Sequence, residues 1–132
     1  MNRFQPWGLL AGRILLALIF VGSGIGKIGN FAGTAGYMAR MGMPLTEVLL
    51  VGAILIEVLG GLALAAGFKT RWAALAIFLF MIPTTLIFHA FWAVPQDQAM
   101  GQMIHFQKNL AIMGGLLYAM CCGAGRYSLN RV

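Results

Sequence analysis

Four long apolar segments follow one another along this chain of 132 residues, at 7–26, 48–66, 72–91 and 103–122. Each is close to the roughly 20 residues that an α-helix needs to cross the hydrocarbon core of a bilayer. None shows the strict two-residue alternation of a barrel strand, so the segments indicate helices. The pattern therefore predicts an all-α integral membrane protein, folded as a four-transmembrane-helix bundle.

The composition agrees with a membrane protein. Hydrophobic residues make up 61% of the chain and charged residues 9%, with a mean hydropathy of +0.87, whereas soluble domains carry about a quarter charged residues. The formal net charge is +6, but the basic residues flank the apolar segments and form no run. We therefore expect the lipid bilayer as a partner and no binding of nucleic acid.

Local signals refine the helix boundaries. Thr46 and Glu47 are typical of a helix start, and Gly67 is typical of a helix end. Between the first two spans, Thr34 reads as an N-cap and Gly42 as a stop, which predicts a short interfacial helix that is a candidate lid. The chain is thus predicted as a single domain, 1–132, with transmembrane helices over about 7–27, 46–67, 71–92 and 103–122.

The positions of the basic residues predict the orientation. Cytoplasmic ends of membrane helices carry an excess of lysine and arginine. The opposite connections contain fewer basic residues and include Glu47 and Asp97. We therefore expect both termini of this multi-pass protein in the cytoplasm. The basic residues on the predicted cytoplasmic side are Arg3, Lys69, Arg71, Arg126 and Arg131.

Glu57 is the only charged or strongly polar side chain in segment 48–66. A carboxylate at this depth needs a partner, because an unpaired charge in hydrocarbon is costly. At ~1.5 Å per residue, Arg13 lies about 9 Å from the cytoplasmic end of its helix and Glu57 about 15 Å from the same side. We therefore predict an Arg13–Glu57 ion pair, which either fixes the helix register or forms a buried charge relay.

A second polar group is expected nearer the opposite side of the membrane. Lys27, His89, Lys108 and Asn109 come from three helices at similar depth. Each alone has a simpler explanation, since lysines reach the interface and histidines often lie there. Together they predict a pocket for an anion, a carbonyl or a phenolate oxygen. The candidate ligand-binding residues are Arg13, Lys27, Glu57, His89, Lys108 and Asn109, and the catalytic candidates are Glu57 and His89.

Neither a metal nor a cofactor is indicated by a specific motif. His89 and His105 lack any attachment motif, which argues against a bis-histidine haem. Cys121 and Cys122 are adjacent and form no C-x-x-C pair, so they are predicted to be buried reduced thiols. No metal site is predicted.

Two helix-packing signals remain. Gly8 and Gly12 are small residues four apart, a weak indication of a homodimer formed through the first span. Pro83 predicts a kink in the third span, with the hydroxyls of Thr84 and Thr85 bonding the carbonyls that it frees.

Several short motifs follow one another along almost the whole chain. They are Arg13-Ile-Leu-Leu, Gly26-Lys27, Gly42-Met43-Pro44, Glu57-Val-Leu-Gly60-Gly61, Gly67-Phe68-Lys69-Thr70-Arg71, His89, Lys108-Asn109-Leu110 and Gly125-Arg126-Tyr127-Ser128-Leu129. In this order they resemble the DoxX family. The resemblance implies a small four-helix protein that is located in the bacterial cell inner membrane. Some family members are linked to oxidoreduction, including a membrane subunit of thiosulfate:quinone oxidoreductase. The family's polar pattern falls on the six ligand-binding candidates, but this chain offers no cysteine pair for sulfur chemistry.

The leading hypothesis is a protein that binds a quinone-like ligand, or the membrane subunit of an oxidoreductase with a separate redox partner. His89 and Lys108 would hydrogen-bond a carbonyl or phenolate, Lys27 would stabilise its negative charge, and Glu57 with Arg13 would relay charge or protons. One alternative is a transporter or permeation module, which would need an oligomer. Another is a structural or assembly protein without catalytic activity.

Overall fold

The computed structural model describes residues 2–130, and within that range it contains helices and no strand. Five α-helices and one short 3-10 helix follow one another in the chain. Arg131, one of the residues used to predict orientation, lies outside the described residues. The elements are α1 (Gln5–Gly29), α2 (Phe31–Arg40), α3 (Thr46–Ala66), α4 (Thr70–Phe88), the 3-10 helix (Phe91–Ala93) and α5 (Gln96–Cys122).

Three stretches of the described chain are long and apolar enough to cross a membrane: Gln5–Gly29, Thr46–Ala66 and Thr70–Ala93. They correspond to the first three predicted spans. The fourth predicted span lies in α5, which has 27 residues and begins at Gln96 rather than near 103. Its polar first half, which contains Asp97 and Lys108, makes it less apolar than the other three.

The helices pack in the order α1, α3, α4 and α5, and α5 makes a lighter contact with α1. Fully buried apolar side chains from three helices form the core, with Leu64 on α3, Ile77 on α4 and Leu116 on α5. Many large apolar side chains point outward, among them Leu15 and Leu62. In a membrane such side chains face lipid, where their exposure carries no penalty.

The turn between α3 and α4 confirms the predicted helix end at Gly67. This glycine has φ +71, and the Phe68 N–H donates to the Ala63 carbonyl at 2.9 Å, as in a left-handed glycine cap. At the other end α3 begins at Thr46, as predicted, with Glu47 in its first turn. The Thr46 side chain makes no capping hydrogen bond, and Leu45 occupies the N-cap position.

The short helix between the first two spans is present as α2. It begins at Phe31, three residues before the predicted cap Thr34, whose hydroxyl donates to the Asn30 carbonyl at 2.9 Å. It ends at Arg40, just before Gly42. The Tyr37 ring stacks on Phe88 of α4 at 5.6 Å between ring centroids. The helix therefore packs over the end of the bundle where α1 and α4 terminate, which we call the α2 end.

Pro83 lies inside α4 and leaves the Leu79 carbonyl, four residues earlier, without its helical donor. The Thr84 hydroxyl donates instead to the Phe80 carbonyl at 2.9 Å, and the Thr85 hydroxyl accepts a hydrogen bond from α5. Among the described residues, neither threonine makes the predicted hydrogen bond to the freed carbonyl. The helix ends at Phe88 rather than near residue 92, and the 3-10 helix follows.

Cys121 and Cys122 are free, but both are exposed on the last turn of α5. The prediction that they are buried is therefore wrong. The last turn of α5 lies beside the start of α1, where the helices do not enclose it on all sides.

Candidate functional site

Glu57 is paired with Lys27, near the end of α1, and not with the predicted partner Arg13. The Lys27 ammonium lies 2.9 Å from both carboxylate oxygens of Glu57 and 2.7 Å from the Ser23 hydroxyl. The Glu57 side chain is 6% exposed and the Lys27 side chain 26% exposed. The buried carboxylate thus accepts a bidentate contact from a cation that retains partial access to the outside.

A glycine contact brings these two helices together. A Cβ atom added at Gly24 would lie 2.5 Å from Cγ2 of Val58 and 3.3 Å from the Glu57 Cβ. Only glycine therefore allows α1 to approach α3 at this level. The contact lies within one turn of Lys27 on α1, which places the lysine opposite the carboxylate.

The predicted Arg13–Glu57 ion pair is wrong. The buried Arg13 guanidinium instead donates to backbone carbonyls at the C-terminus of α3, with Nη1 at 3.0 Å from Leu64 O and 3.1 Å from Ala65 O. Its Nη2 donates to the carbonyl of Tyr127. A cation at a helix C-terminus is stabilised by the unpaired carbonyls and the helix dipole. Arg13 therefore holds the end of α3, about two helical turns from Glu57.

The segment after α5 joins the same arrangement. Residues 123–130, which we call the C-terminal strap, run across the turn between α3 and α4. The Leu129 N–H donates to Ala66 O at 3.0 Å, and the Asn130 side chain accepts from the Lys69 N–H at 2.8 Å. The strap contains the Gly125–Leu129 motif, which therefore has a structural role. We call this end of the bundle, where α1 begins and α5 ends, the termini end.

His89 belongs to a second polar group, between α4 and α5 near the α2 end. Its Nδ1 lies 2.9 Å from the Gln102 side-chain oxygen, a contact that suits the tautomer with the proton on Nδ1. The ring stacks on His105, with 5.1 Å between centroids and 28° between planes. One turn deeper, the Asn109 amide donates to the Thr85 hydroxyl at 3.1 Å.

Three aromatic rings adjoin the start of α5, and with the two histidines they form what we call the aromatic mouth. The ring centroids of Phe91 and Trp92 lie 5.1 Å apart, and each lies within 5.8 Å of the Phe106 centroid. All three pairs are edge-to-face. These rings lie within three residues of His89 or His105 in the chain and offer stacking surfaces for a flat ligand.

The candidates singled out in the sequence thus fall into separate groups. Lys27 and Glu57 form one pair, and His89 and Asn109 lie in another group, with no hydrogen bond joining the two among the described residues. The Lys108 side chain is exposed and makes no hydrogen bond among the described residues. Arg13 lies at the opposite end of the bundle.

Sequence reasoning missed three polar partners: Ser23, Thr85 and Gln102. Helical spacing was the signal that could have found them. Ser23 precedes Lys27 by four residues, and Thr85 precedes His89 by four. Gln102 precedes Asn109 by seven residues, which also puts both on one face of α5.

No group of three or more histidine, cysteine, aspartate or glutamate side chains that could hold a metal ion occurs in residues 2–130. The structure also contains two apolar grooves. One, of about 560 Å³, lies between α1 and α5 toward the termini end, and the other, of about 360 Å³, lies among α2, α3 and α4. His89 and the Lys27–Glu57 pair line neither groove.

The DoxX family model matches residues 8–90, which contain most of α1 and all of α2, α3 and α4. The chain belongs to the DoxX family. Among its relatives are two proteins of Escherichia coli K12, the inner membrane proteins YqjF and YphA. YqjF is 40% identical over the whole chain, which covers 96% of that protein. YphA is 35% identical over 96% of the chain and 91% of its own length.

A eukaryotic relative shares the same region. The surfeit locus protein 4 homolog of Schizosaccharomyces pombe is 28% identical over 92% of the chain, but the match covers only 36% of that longer protein. No solved structure matches the chain. Together with the three candidate spans, the bacterial relatives make this DoxX-family chain an inner membrane protein.

Proposed function

We propose that this DoxX-family protein binds a small, electron-rich ligand of the quinone type at the aromatic mouth. The observation that carries the proposal is the fixed orientation of His89. Because Nδ1 lies against the Gln102 oxygen, the other ring nitrogen, Nε2, is left without a hydrogen bond among the described residues. In the tautomer with the proton on Nδ1, Nε2 is an acceptor suited to the hydroxyl of a quinol, and in the imidazolium form it is a donor to a quinone carbonyl.

The surrounding rings suit a flat ligand. A planar ring can stack on His105 or fit among Phe91, Trp92 and Phe106, since offset and edge-to-face contacts between aromatic rings are favourable. Lys108, three residues after His105, is exposed and supplies a mobile positive charge for a phenolate.

The Lys27–Glu57 pair has a separate place in the proposal. It joins a buried carboxylate to a partly exposed ammonium, which also contacts the Ser23 hydroxyl, and such groups are the components of a charge or proton relay. In an oxidoreductase the electrons would come from a partner protein, with the quinone as acceptor.

The orientation proposed for this binding site has the aromatic mouth facing the periplasm, with α5 as a fourth span. At ~1.5 Å per residue, a helix of 27 residues is about 40 Å long, enough to cross a bilayer. Lys69, Arg71 and Arg126 lie at the termini end, while Glu47 and Asp97 begin α3 and α5 at the α2 end. A cytoplasmic reporter fused to the C-terminus is expected to be active, and an inactive fusion would contradict this topology.

Tryptophan fluorescence tests ligand binding directly. The protein in lipid nanodiscs is titrated with a short-chain ubiquinone, which quenches nearby indoles. We expect quenching to be reduced in Trp92→Phe and unchanged in Trp7→Phe or Trp72→Phe, because the last two lie at the termini end. His89→Gln should weaken binding by roughly tenfold, the effect of one hydrogen bond of about 1.4 kcal/mol.

The same titration separates the alternatives. Equal quenching in the three tryptophan variants would show that the quinone merely dissolves in the lipid, and would refute the proposed site. Saturable flux of a small anion into proteoliposomes, without quinone-dependent quenching at Trp92, would instead support a permeation module. If neither is observed and His89→Gln changes only the thermal stability, the polar groups serve the fold alone.

A further inference from the structure

The groove between α1 and α5 is the larger of the two apolar grooves, and it lies away from the aromatic mouth. It runs along residues 8–19 of α1 and 112–123 of α5, a length of about 17 Å. Glycines widen it: a Cβ added at Gly8 or Gly12 would have no neighbour within 4 Å, so α5 does not close over them. The groove opens sideways, where the membrane would be.

The termini end of this groove is basic. The Arg71 guanidinium lies 3.3 Å from the position that a Cβ would take on Gly123, a residue of the groove wall. The Arg71 side chain is exposed and makes no hydrogen bond within the described residues. Arg3 and Arg126 are exposed at the same end. The three acidic side chains of the chain lie elsewhere, in the middle of α3 or at the α2 end.

A buried, incompletely bonded polar group adds a second indication. Arg13 contributes to the groove wall and is only 3% exposed. Its Nη atoms bind carbonyls, whereas its Nε has no hydrogen-bond partner. A buried donor without an acceptor is costly, and an anionic oxygen is the acceptor with the most favourable charge.

We propose that the α1–α5 groove binds an anionic phospholipid, with one acyl chain along the apolar wall and the phosphate beside Arg71 and Arg13. The apolar length matches a chain, the sideways opening admits it from the bilayer, and the basic end complements the phosphate. A second copy of the protein would instead bring two basic ends together if it docked in parallel, which like-charge repulsion disfavours.

Native mass spectrometry of the protein in mild detergent tests this proposal, with phosphatidylglycerol and phosphatidylcholine added in equal amounts. We expect preferential retention of phosphatidylglycerol. Arg71→Gln should reduce that preference roughly fivefold, since a basic residue near an anionic surface contributes about 1 kcal/mol, while Arg40→Gln at the α2 end should not change it.

Glycine variants test the position of the acyl chain. Gly12→Leu fills the groove, and Gly22→Leu is its control, because both glycines lie in α1 with no neighbour within 4 Å but only Gly12 lines the groove. We expect Gly12→Leu to abolish retention of phospholipid and Gly22→Leu to preserve it. Equal retention of the two lipids, or unchanged retention in Gly12→Leu, would overturn the proposal. A dimer that Gly12→Leu converts to a monomer, with no lipid retained by either, would assign the groove to a second copy and overturn it as well.

Discussion

The Lys27–Glu57 pair predicts an asymmetry that can be measured. Replacing Lys27 by Met leaves a carboxylate that is only 6% exposed without its two 2.9 Å contacts. Breaking a buried pair by removing one partner costs about 3–5 kcal/mol, because the remaining charge is uncompensated. We expect a loss of this size in the free energy of unfolding.

Removal of the other partner should be less harmful. In Glu57→Leu the Lys27 side chain, already 26% exposed, can move toward the interface and keep its contact with Ser23. We expect a loss of about 1–2 kcal/mol, discounted for this partial exposure. The double variant Lys27→Met/Glu57→Leu leaves no charge behind and should be more stable than Lys27→Met alone, with a coupling of at least about 2 kcal/mol.

The assay is reversible unfolding by sodium dodecyl sulfate in mixed micelles, followed by circular dichroism. Lys108→Met is the matched control, since Lys108 is exposed and makes no hydrogen bond among the described residues, and it should stay within about 0.5 kcal/mol of the wild type. If Lys27→Met were no more destabilising than Lys108→Met, or less so than Glu57→Leu, the reasoning from burial would be refuted.

Two further predictions concern the termini end. Arg13→Met removes three hydrogen bonds to backbone carbonyls and should lower the free energy of unfolding by about 2–4 kcal/mol. Limited proteolysis should then cleave the C-terminal strap. An uncleaved strap would contradict this role of Arg13. Gly67→Ala should cost more than about 1 kcal/mol in the same unfolding assay, because φ is +71 and the new Cβ would collide with Arg13 and Ser128. Gly42→Ala is its control, with φ +82 but nothing within 4 Å; an equal loss in both variants would show that the collision contributes nothing.

The failure to predict the partner of Glu57 has a geometric cause. Arg13 binds the carbonyls of Leu64 and Ala65, which lie about 11 Å from Glu57 along the axis of α3. Gly24 packs against Glu57, and Lys27 follows Gly24 by three residues, about 5 Å along the axis of α1. The estimate of depth from the predicted helix ends brought Arg13 too close to Glu57, and the observed packing puts Lys27 nearer.

The direction of the Cα–Cβ bonds favours the same partner. These bonds tilt toward the N-terminus of a helix, so on α1 the side chain of Lys27 tilts toward Glu57 and that of Arg13 away from it. Since α3 runs antiparallel to α1, the carboxylate of Glu57 tilts toward Lys27. This rule can be applied only once α3 is known to pack against α1, which is a property of the tertiary structure.

The histidine group has other contacts than the predicted site. His89, just after α4, and Asn109 of α5 hydrogen-bond to Gln102 and Thr85 respectively, and not to each other. The predicted site includes Lys27 because residues at similar depth are expected to lie close together. Depth places a residue along the bundle axis only, and the order of the helices around that axis decides which residues meet.

The sequence by itself determined that this chain is a helical membrane protein, because apolar segments of about 20 residues must satisfy their backbone groups within each segment. Gly67 likewise determined a helix end locally, through its backbone conformation. Only the tertiary structure decided that Lys27 binds Glu57 and that Arg13 binds the carbonyls that end α3. A long cationic side chain can reach several acceptors, and the packing of its helix selects among them.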